Sequence, residues 1–164
     1  LAAVDLPLYD PDVDTEDAGY AADLLARMRA ADGVILGSPV YHASYSAAFR
    51  SFHDYCSFDE YENTVVGLLC SAGGGTIAGT LGDMRSTVRG VHGWTLPMEV
   101  GLRGARNMFE EREQAAAPDE LGSDSQYLFT DESLRDRTCT LGYRVGTYAK
   151  RAPDFIEIGA EPDW

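Results

Sequence analysis

The chain has 164 residues, 45% of them hydrophobic, and 27 acidic against 13 basic residues give a formal net charge of −14. That length fits one domain with a substantial core, and no apolar run approaches the roughly 18–20 residues of a membrane span. A nucleic-acid partner is disfavoured, because no basic stripe exists to displace phosphate counterions.

The carboxylates are scattered along the chain, and Lys150 is its sole lysine. They read as a solvated acidic surface adapted to a salt-rich cytoplasm, in preference to an acidic docking face. Cys56, Cys70 and Cys139 form no CxxC pair and no His/Cys cluster, so neither zinc nor an iron–sulfur centre is indicated. They read as reduced structural thiols, hence a cytoplasmic protein. The first residue is Leu1 and no signal-peptide pattern precedes the fold, so the chain reads as beginning inside a domain.

In chain order, Ala2 to Leu6 reads as a short strand and LPLYDPD (residues 6–12) as a proline-punctuated loop. Thr15 is the expected N-cap of a first helix, with Glu16 and Asp17 at its positive end. Leu24, Leu25 and Met28 form its apolar stripe up to Ala31. Asp32-Gly33 then turns the chain into a buried strand, Val34–Ser38, ending in a loop shaped by Gly37-Ser38-Pro39. A second helix is expected from about Tyr45 to Ser57, with Ser44 or Ser46 as cap. It buries Tyr45, Ala48, Phe49, Phe52 and Cys56 at spacings of three and four. His53 and His92 lie in helical segments far from other ligand-like residues, and neither is assigned a metal.

Thr64 to Ser71 is a Val- and Leu-rich strand, followed by the small-residue loop SAGGG (residues 71–75). Ile77, Leu81, Met84, Val88 and Val91 then recur at helical period, with Gly93 as the stop. Trp94 to Val100 has strand character, and Pro97 implies an edge position or an irregularity. Residues 101–126 lack clean periodicity: RNMFEEREQAAA reads as a short helix, PDELGSDS as loop, and Met108 and Phe109 as core filler rather than a lid. The last helix is capped by Thr130 and opened by Asp131 and Glu132. Leu134, Thr138, Leu141, Val145 and Tyr148 line one face, and Lys150 and Arg151 close it before Pro153. This β-α-β-α-β-α-β-insertion-α order implies an α/β fold with a parallel sheet and helices on both faces.

Ligands in such sheets sit outside the carboxyl ends of the strands, which directs attention to the two loops. GSPVYHASYSAAFRSFHDY (37–55) and LLCSAGGGTIAGTLGDMRSTVR (68–89), in that order, resemble the NAD(P)H-dependent FMN reductase family, which has the flavodoxin-like fold. Members show a strand ending in a small residue, then Pro-x-Tyr-x-x-Ser and a helix, and later a glycine loop before a helix containing Leu and Arg. DLPLYDPD is also similar to the segment after the family's second strand. The resemblance covers most of residues 1–100.

It implies a flavodoxin-like three-layer sandwich with FMN across these loops. Pro39, Val40, Tyr41 and His42 would border the isoalloxazine, and Ser71, Ala72, Gly73, Gly74 and Gly75 would approach its pyrimidine edge. Glycines let backbone N–H groups come close to that edge, where side chains would block them. The implied activity moves hydride from NADPH or NADH through FMN to a small-molecule acceptor: a flavin, a quinone or an azo compound. No catalytic acid or base is required. A non-catalytic electron-transfer flavoprotein of the flavodoxin type is the second reading, and a fold relative without flavin the third. The family's phosphate loop lies between its first strand and first helix. No match to it is found here, so about thirty upstream residues, one βα unit, are expected in the natural protein.

Tyr41 is read as a ligand contact rather than plain packing. His42 stays open between a role at a nicotinamide phosphate or in proton relay and a solvent-facing loop position. Arg85 and Arg89 read as a solvated helix face. Family relatives form dimers or tetramers, so a homodimer or homotetramer is the expectation by resemblance. The acidic surface repels a polyanionic nicotinamide cofactor at low salt, and at about 1 M salt the screening length falls to about 3 Å. Steady-state activity should therefore rise toward the molar range, and a maximum in dilute buffer would overturn the salt-adapted reading.

Overall fold

Side chains alternate across an extended strand, so the run VVGLLCSA presents apolar groups to both sides and belongs in the middle of a sheet. The computed structural model describes residues 6–75, 77–111 and 127–151. In it this run forms β3 (Val65–Ala72), flanked by β1 (Gly33–Tyr41) and β4 (Trp94–Arg103), both parallel to it. The short β2 (Ser44–Tyr45) returns antiparallel along the end of β1, giving the order β2-β1-β3-β4.

Two apolar layers sandwich the sheet. On one face, α1 (Ala21–Arg29), α2 (Ala47–Tyr55), the single turn α3 (Phe58–Tyr61) and α4 (Ala78–Arg89) supply Leu25, Phe52, Tyr61 and Met84 to a core with Val66, Leu68, Cys70 and Ala72 of β3. On the other, α5 (Glu132–Ala149) packs Leu141, Val145 and Ala149 against Val65, Val100 and Leu102. This is the flavodoxin-like arrangement, mostly parallel strands with helices on both faces. α5 sits close because Gly67 lacks a side chain: a Cβ there would stand 2.7 Å from Val145 Cγ2 and 3.2 Å from Leu141 Cδ1.

Several boundaries differ from the sequence expectation for identifiable reasons. Thr15–Asp17 is a separate 3-10 turn, and Gly19, left-handed at φ 58, breaks the chain before α1 begins. Ala48 is exposed, and Ser51 and His53 take buried positions on α2 instead. Helix α4 ends at Gly90, three residues before the expected stop. Gly93 has a packing role: a Cβ there would meet Val88 Cγ1 at 2.5 Å and Tyr61 Cδ1 at 3.1 Å. Among the described residues β4 is at the edge of the sheet, and its register against β3 shifts between Val66 and Leu68, opposite the stretch that holds Pro97.

The helix expected from Arg106 is replaced by a 3-10 turn (Ala105–Asn107) and a strand, β5 (Phe109–Glu111). β5 pairs with β6 (Tyr127–Phe129), which sequence reasoning did not foresee. Met108 is core beneath α5, whereas Phe109 is exposed and meets Phe129 in a tilted ring contact. The cap of α5 is Asp131, whose Oδ1 accepts from the Ser133 and Leu134 N–H groups; Thr130 instead donates to the Asn107 carbonyl. Tyr148 is exposed and Ala149 occupies its expected place in the core. Strand residues 2–5, most of the 101–126 insertion and Pro153 lie outside the described residues.

Cys56 and Cys70 are buried and Cys139 is exposed, none of them paired. Burial, with the Glu60 carboxylate behind it, pushes the Cys56 thiol up to about 12; burial and Glu99 push Cys70 to about 11. Both stay protonated and behave as small apolar groups. Glu60, almost fully enclosed, keeps a charge partner in Arg29 at 2.6 Å and accepts from the Ser57 N–H at 2.7 Å.

His53 joins three helices. It stacks on Phe49, its Nδ1 lies 3.1 Å from the Tyr61 hydroxyl, and the Thr87 backbone of α4 faces it. Burial lowers its pKa below 6.5 and Arg50 adds to that, against smaller opposing effects of Asp54 and Thr87. A histidine held neutral in the folded state resists a proton that the unfolded chain accepts, so stability falls as pH drops below 6.5 toward the folded value. Denaturant titrations over that range should show an unfolding equilibrium rising by at most about tenfold per pH unit from this group. His53→Gln should flatten the slope, and an unchanged slope would remove His53 as its source.

Candidate functional site

The two loops singled out in the sequence come together because the strands that carry them are neighbours in register, with Pro39 opposite Ser71. The first is more ordered than a loop. Pro39, Val40 and Tyr41 are the last residues of β1, and Val40 and Tyr41 pair with Tyr45 and Ser44 of β2. His42 and Ala43 make the turn with φ of 51° and 68°. Two-residue hairpins need left-handed backbone at both central positions, which Asn-Gly or Gly-Gly supplies easily. Here neither is glycine, which is why the hairpin was hidden in the sequence.

The hairpin is tied to both helices behind it. Ser38 Oγ, buried, accepts from the Ser46 N–H at 2.9 Å and donates to the Pro39 carbonyl, joining the end of β1 to the start of α2. Ser46 is the α2 cap, accepting from the Phe49 N–H. Ser44 Oγ donates to Asp83 Oδ2 on α4 at 2.7 Å, and the Ala43 carbonyl lies 3.7 Å from where a Gly79 Cβ would be. Residues 38, 46 and 83 carry no sequence signal for this role; their partners are eight and 39 positions away.

The second wall starts inside β3, where Ser71 is half-buried and Ala72 is core. Gly73, Gly74 and Gly75 follow, all exposed, and a Cβ on any of them would meet nothing within 4 Å. Gly75 is left-handed at φ 74. This is open space over backbone N–H groups, the cradle that a planar polar edge requires and that side chains would fill. Tyr41, 61% exposed, stands on the hairpin side. All nine predicted residues thus lie at the carboxyl ends of β1 and β3. The residues present fit the flavin ring that the sequence resemblance implies.

Arg85 is not a solvated face: its guanidinium bonds Glu99 on β4 (Nε to Oε1, 2.9 Å) and pins α4 to the sheet. Among the described residues no cluster of His, Cys, Asp or Glu could hold a metal ion. No helix among them is long and apolar enough to cross a membrane. A groove of about 470 Å³ lined by Gly142, Tyr143, Gly146, Thr147, Lys150 and Arg151 lies along the second half of α5. That part of α5 packs beside Gly33, at the opposite end of the strands from these loops.

The family model described as NADPH-dependent FMN reductase matches residues 1–107. The chain belongs to that family. It is 33% identical over 132 residues to an NADPH azoreductase of Bacillus sp. (strain OY1-2), covering 80% of this chain and 69% of that protein. It is 35% identical over 78 residues to an FMN-dependent NADPH-azoreductase of Staphylococcus aureus (strain USA300), 48% of this chain and 42% of that one. The chain thus matches less than half the length of the staphylococcal relative. Among solved structures, FerB, a flavoenzyme NAD(P)H:(acceptor) oxidoreductase from Paracoccus denitrificans, superposes with a TM-score of 0.60 at 20% identity, over 92% of this chain and 76% of that one. The apo form of the NADH:FMN oxidoreductase EMOB gives 0.53 at 15% identity, over 92% and 70%. These likenesses show the fold. Family membership carries FMN as cofactor, NADPH as electron donor and NAD(P)H-dependent oxidoreductase chemistry.

Left-handed backbone at a non-glycine residue costs about 1–2 kcal/mol. Ala43 is exposed and loses little packing on truncation. Ala43→Gly should therefore raise the unfolding free energy by about 1 kcal/mol or slightly less, after the entropy that glycine adds to the unfolded chain. Chemical denaturation checks this, and a loss of stability would show that the turn is not strained.

Proposed function

We propose that the protein takes hydride from NADPH at an FMN held between the hairpin and the glycine loop, and delivers the electrons to a small oxidised acceptor at the same face. The observation that carries this reading is the Pro39–Ser71 register, which sets a hairpin wall beside an open glycine wall at two adjacent strand ends. Bound there, FMN supplies reversible hydride acceptance. The chain's own residues bind and orient. The N–H groups of Gly73, Gly74 and Gly75 offer donors to the polar edge of the ring, and Pro39 and Val40 supply an apolar wall that excludes water, with Ala72 bordering it through its backbone. Tyr41 borders the ring and His42 lies at the rim.

The acceptor is a flavin, a quinone or an azo compound, and the azoreductase relatives support the azo compound.

Anaerobic rapid mixing of FMN-loaded full-length protein with NADPH should bleach the flavin absorbance, and an azo dye added afterwards should restore it as the dye loses colour. Flavin that stays oxidised under NADPH but accepts electrons from a partner reductase would establish the electron-transfer flavoprotein instead.

A further inference from the structure

Arg103 closes β4 in register with Ala72, the last residue of β3 before the glycine run. Residues directly paired across strands project to the same face. Ala72 packs into the core beneath α4, so Arg103 rises on the α4 side of the sheet, flanking Gly73–Gly75. Gly101, two residues earlier on that face, is roofed by Ile77. Arg103 lies past that roof and is exposed.

Gly104, left-handed at φ 69, then bends the chain so that the turn Ala105–Asn107 carries Arg106, also exposed, to the same end of the sheet. The turn is anchored. The Asn107 N–H donates to the Gly104 carbonyl at 2.8 Å, Thr130 Oγ donates to the Asn107 carbonyl at 3.0 Å, and Met108 is buried.

Among the described residues neither arginine has an ion-pair partner, as is also true of Arg89, Arg135, Arg144 and Arg151, while Arg27, Arg29, Arg50 and Arg85 each hold a carboxylate; what sets Arg103 and Arg106 apart is their place beside the glycine loop. In a chain of net charge −14, two uncommitted guanidinium groups beside the open glycine loop add positive charge where a polyanion must approach. Guanidinium forks match phosphate oxygens in a bidentate geometry that a lysine does not reproduce.

We propose that Arg103 and Arg106 bind a phosphate group of the nicotinamide electron donor while its ring reaches the flavin. This rests on the donor reading above, and it adds the determinant that seats the donor. The pair lies across the glycine loop from the hairpin, so a donor bound by it spans the loop toward Tyr41.

The test uses FMN-loaded full-length protein, wild type and the double variant R103S/R106S, at one fixed ionic strength. NADP⁺, which cannot reduce the flavin, is titrated by calorimetry, and anaerobic flavin reduction is followed with NADPH and with NADH. The double variant should bind NADP⁺ about tenfold or more weakly, as expected for lost charge-assisted hydrogen bonds. Its half-saturating NADPH concentration should rise in step, with the limiting rate of flavin reduction and the FMN affinity unchanged. A loss confined to NADPH assigns the 2′-phosphate, and an equal loss with NADH assigns the diphosphate. Unchanged NADP⁺ affinity in a variant still reduced by NADPH overturns this inference alone, as does a loss of FMN affinity in its place. Wild-type flavin that NADPH leaves oxidised overturns the donor reading and this inference with it.

Discussion

The parallel pairing of β1 with β3, in unbroken register from Gly33 opposite Val65 to Pro39 opposite Ser71, is the constraint on which the site depends. It fixes how far each strand runs before its loop departs. A shift of one residue would also turn every side chain of β1 to the wrong face. Leu36 would leave the α2 side, and Gly33 would no longer meet Val145 and Ala149 of α5, where there is room for no side chain. The packing of the two cores and the juxtaposition of the two loops are therefore one specification.

From that pairing the walls acquire different stiffness. The hairpin is held by a ladder, by the Ser38–Ser46 bonds to α2 and by the Ser44–Asp83 bond to α4. Its left-handed His42 and Ala43 persist because these contacts over-determine the turn, and strain of this sort collects where a ligand must be met by a fixed surface. The glycine run is free of side chains and, among the described residues, makes no such bonds to the helices. In the proposed site one wall would orient a planar ring and the other would offer its edge a backbone that no side chain obstructs.

Much of this was legible from pattern. Strand β3 and helices α2, α4 and α5 follow from apolar spacing, and Pro97 announced the irregularity in β4 because a residue without an N–H disturbs any ladder it joins. The same logic misread Pro39, which looked like the start of a loop. Among the described residues Pro39 pairs only with Ser71 of β3, so proline is tolerated inside β1 there. The nine candidate ring positions could be named because glycine and proline punctuate both segments and act through the backbone, which local sequence does encode. Ser38, Asp83 and Arg103 could not, since a hydrogen bond across 39 residues or a strand-end register leaves no local trace. The β5–β6 pair was missed because FEE and YLF are too short for any periodicity to show.

The charge distribution links these observations. A surface of −14 repels the donor that the family uses, and salt weakens that repulsion without directing the donor to one place. Direction requires positive groups that are not already neutralised. The four paired arginines among the described residues serve within single helices, as Arg27 and Arg50 do, or brace the fold, as Arg29 does through Glu60 and Arg85 through Glu99. Arg103 and Arg106 remain uncommitted among the described residues, and the backbone that carries them is fixed by the β4 ladder on one side and the Thr130 clamp on the other. Anchored arginines without an ion-pair partner at the strand ends give an acidic protein local positive charge beside the glycine loop, which is what the proposed donor site requires.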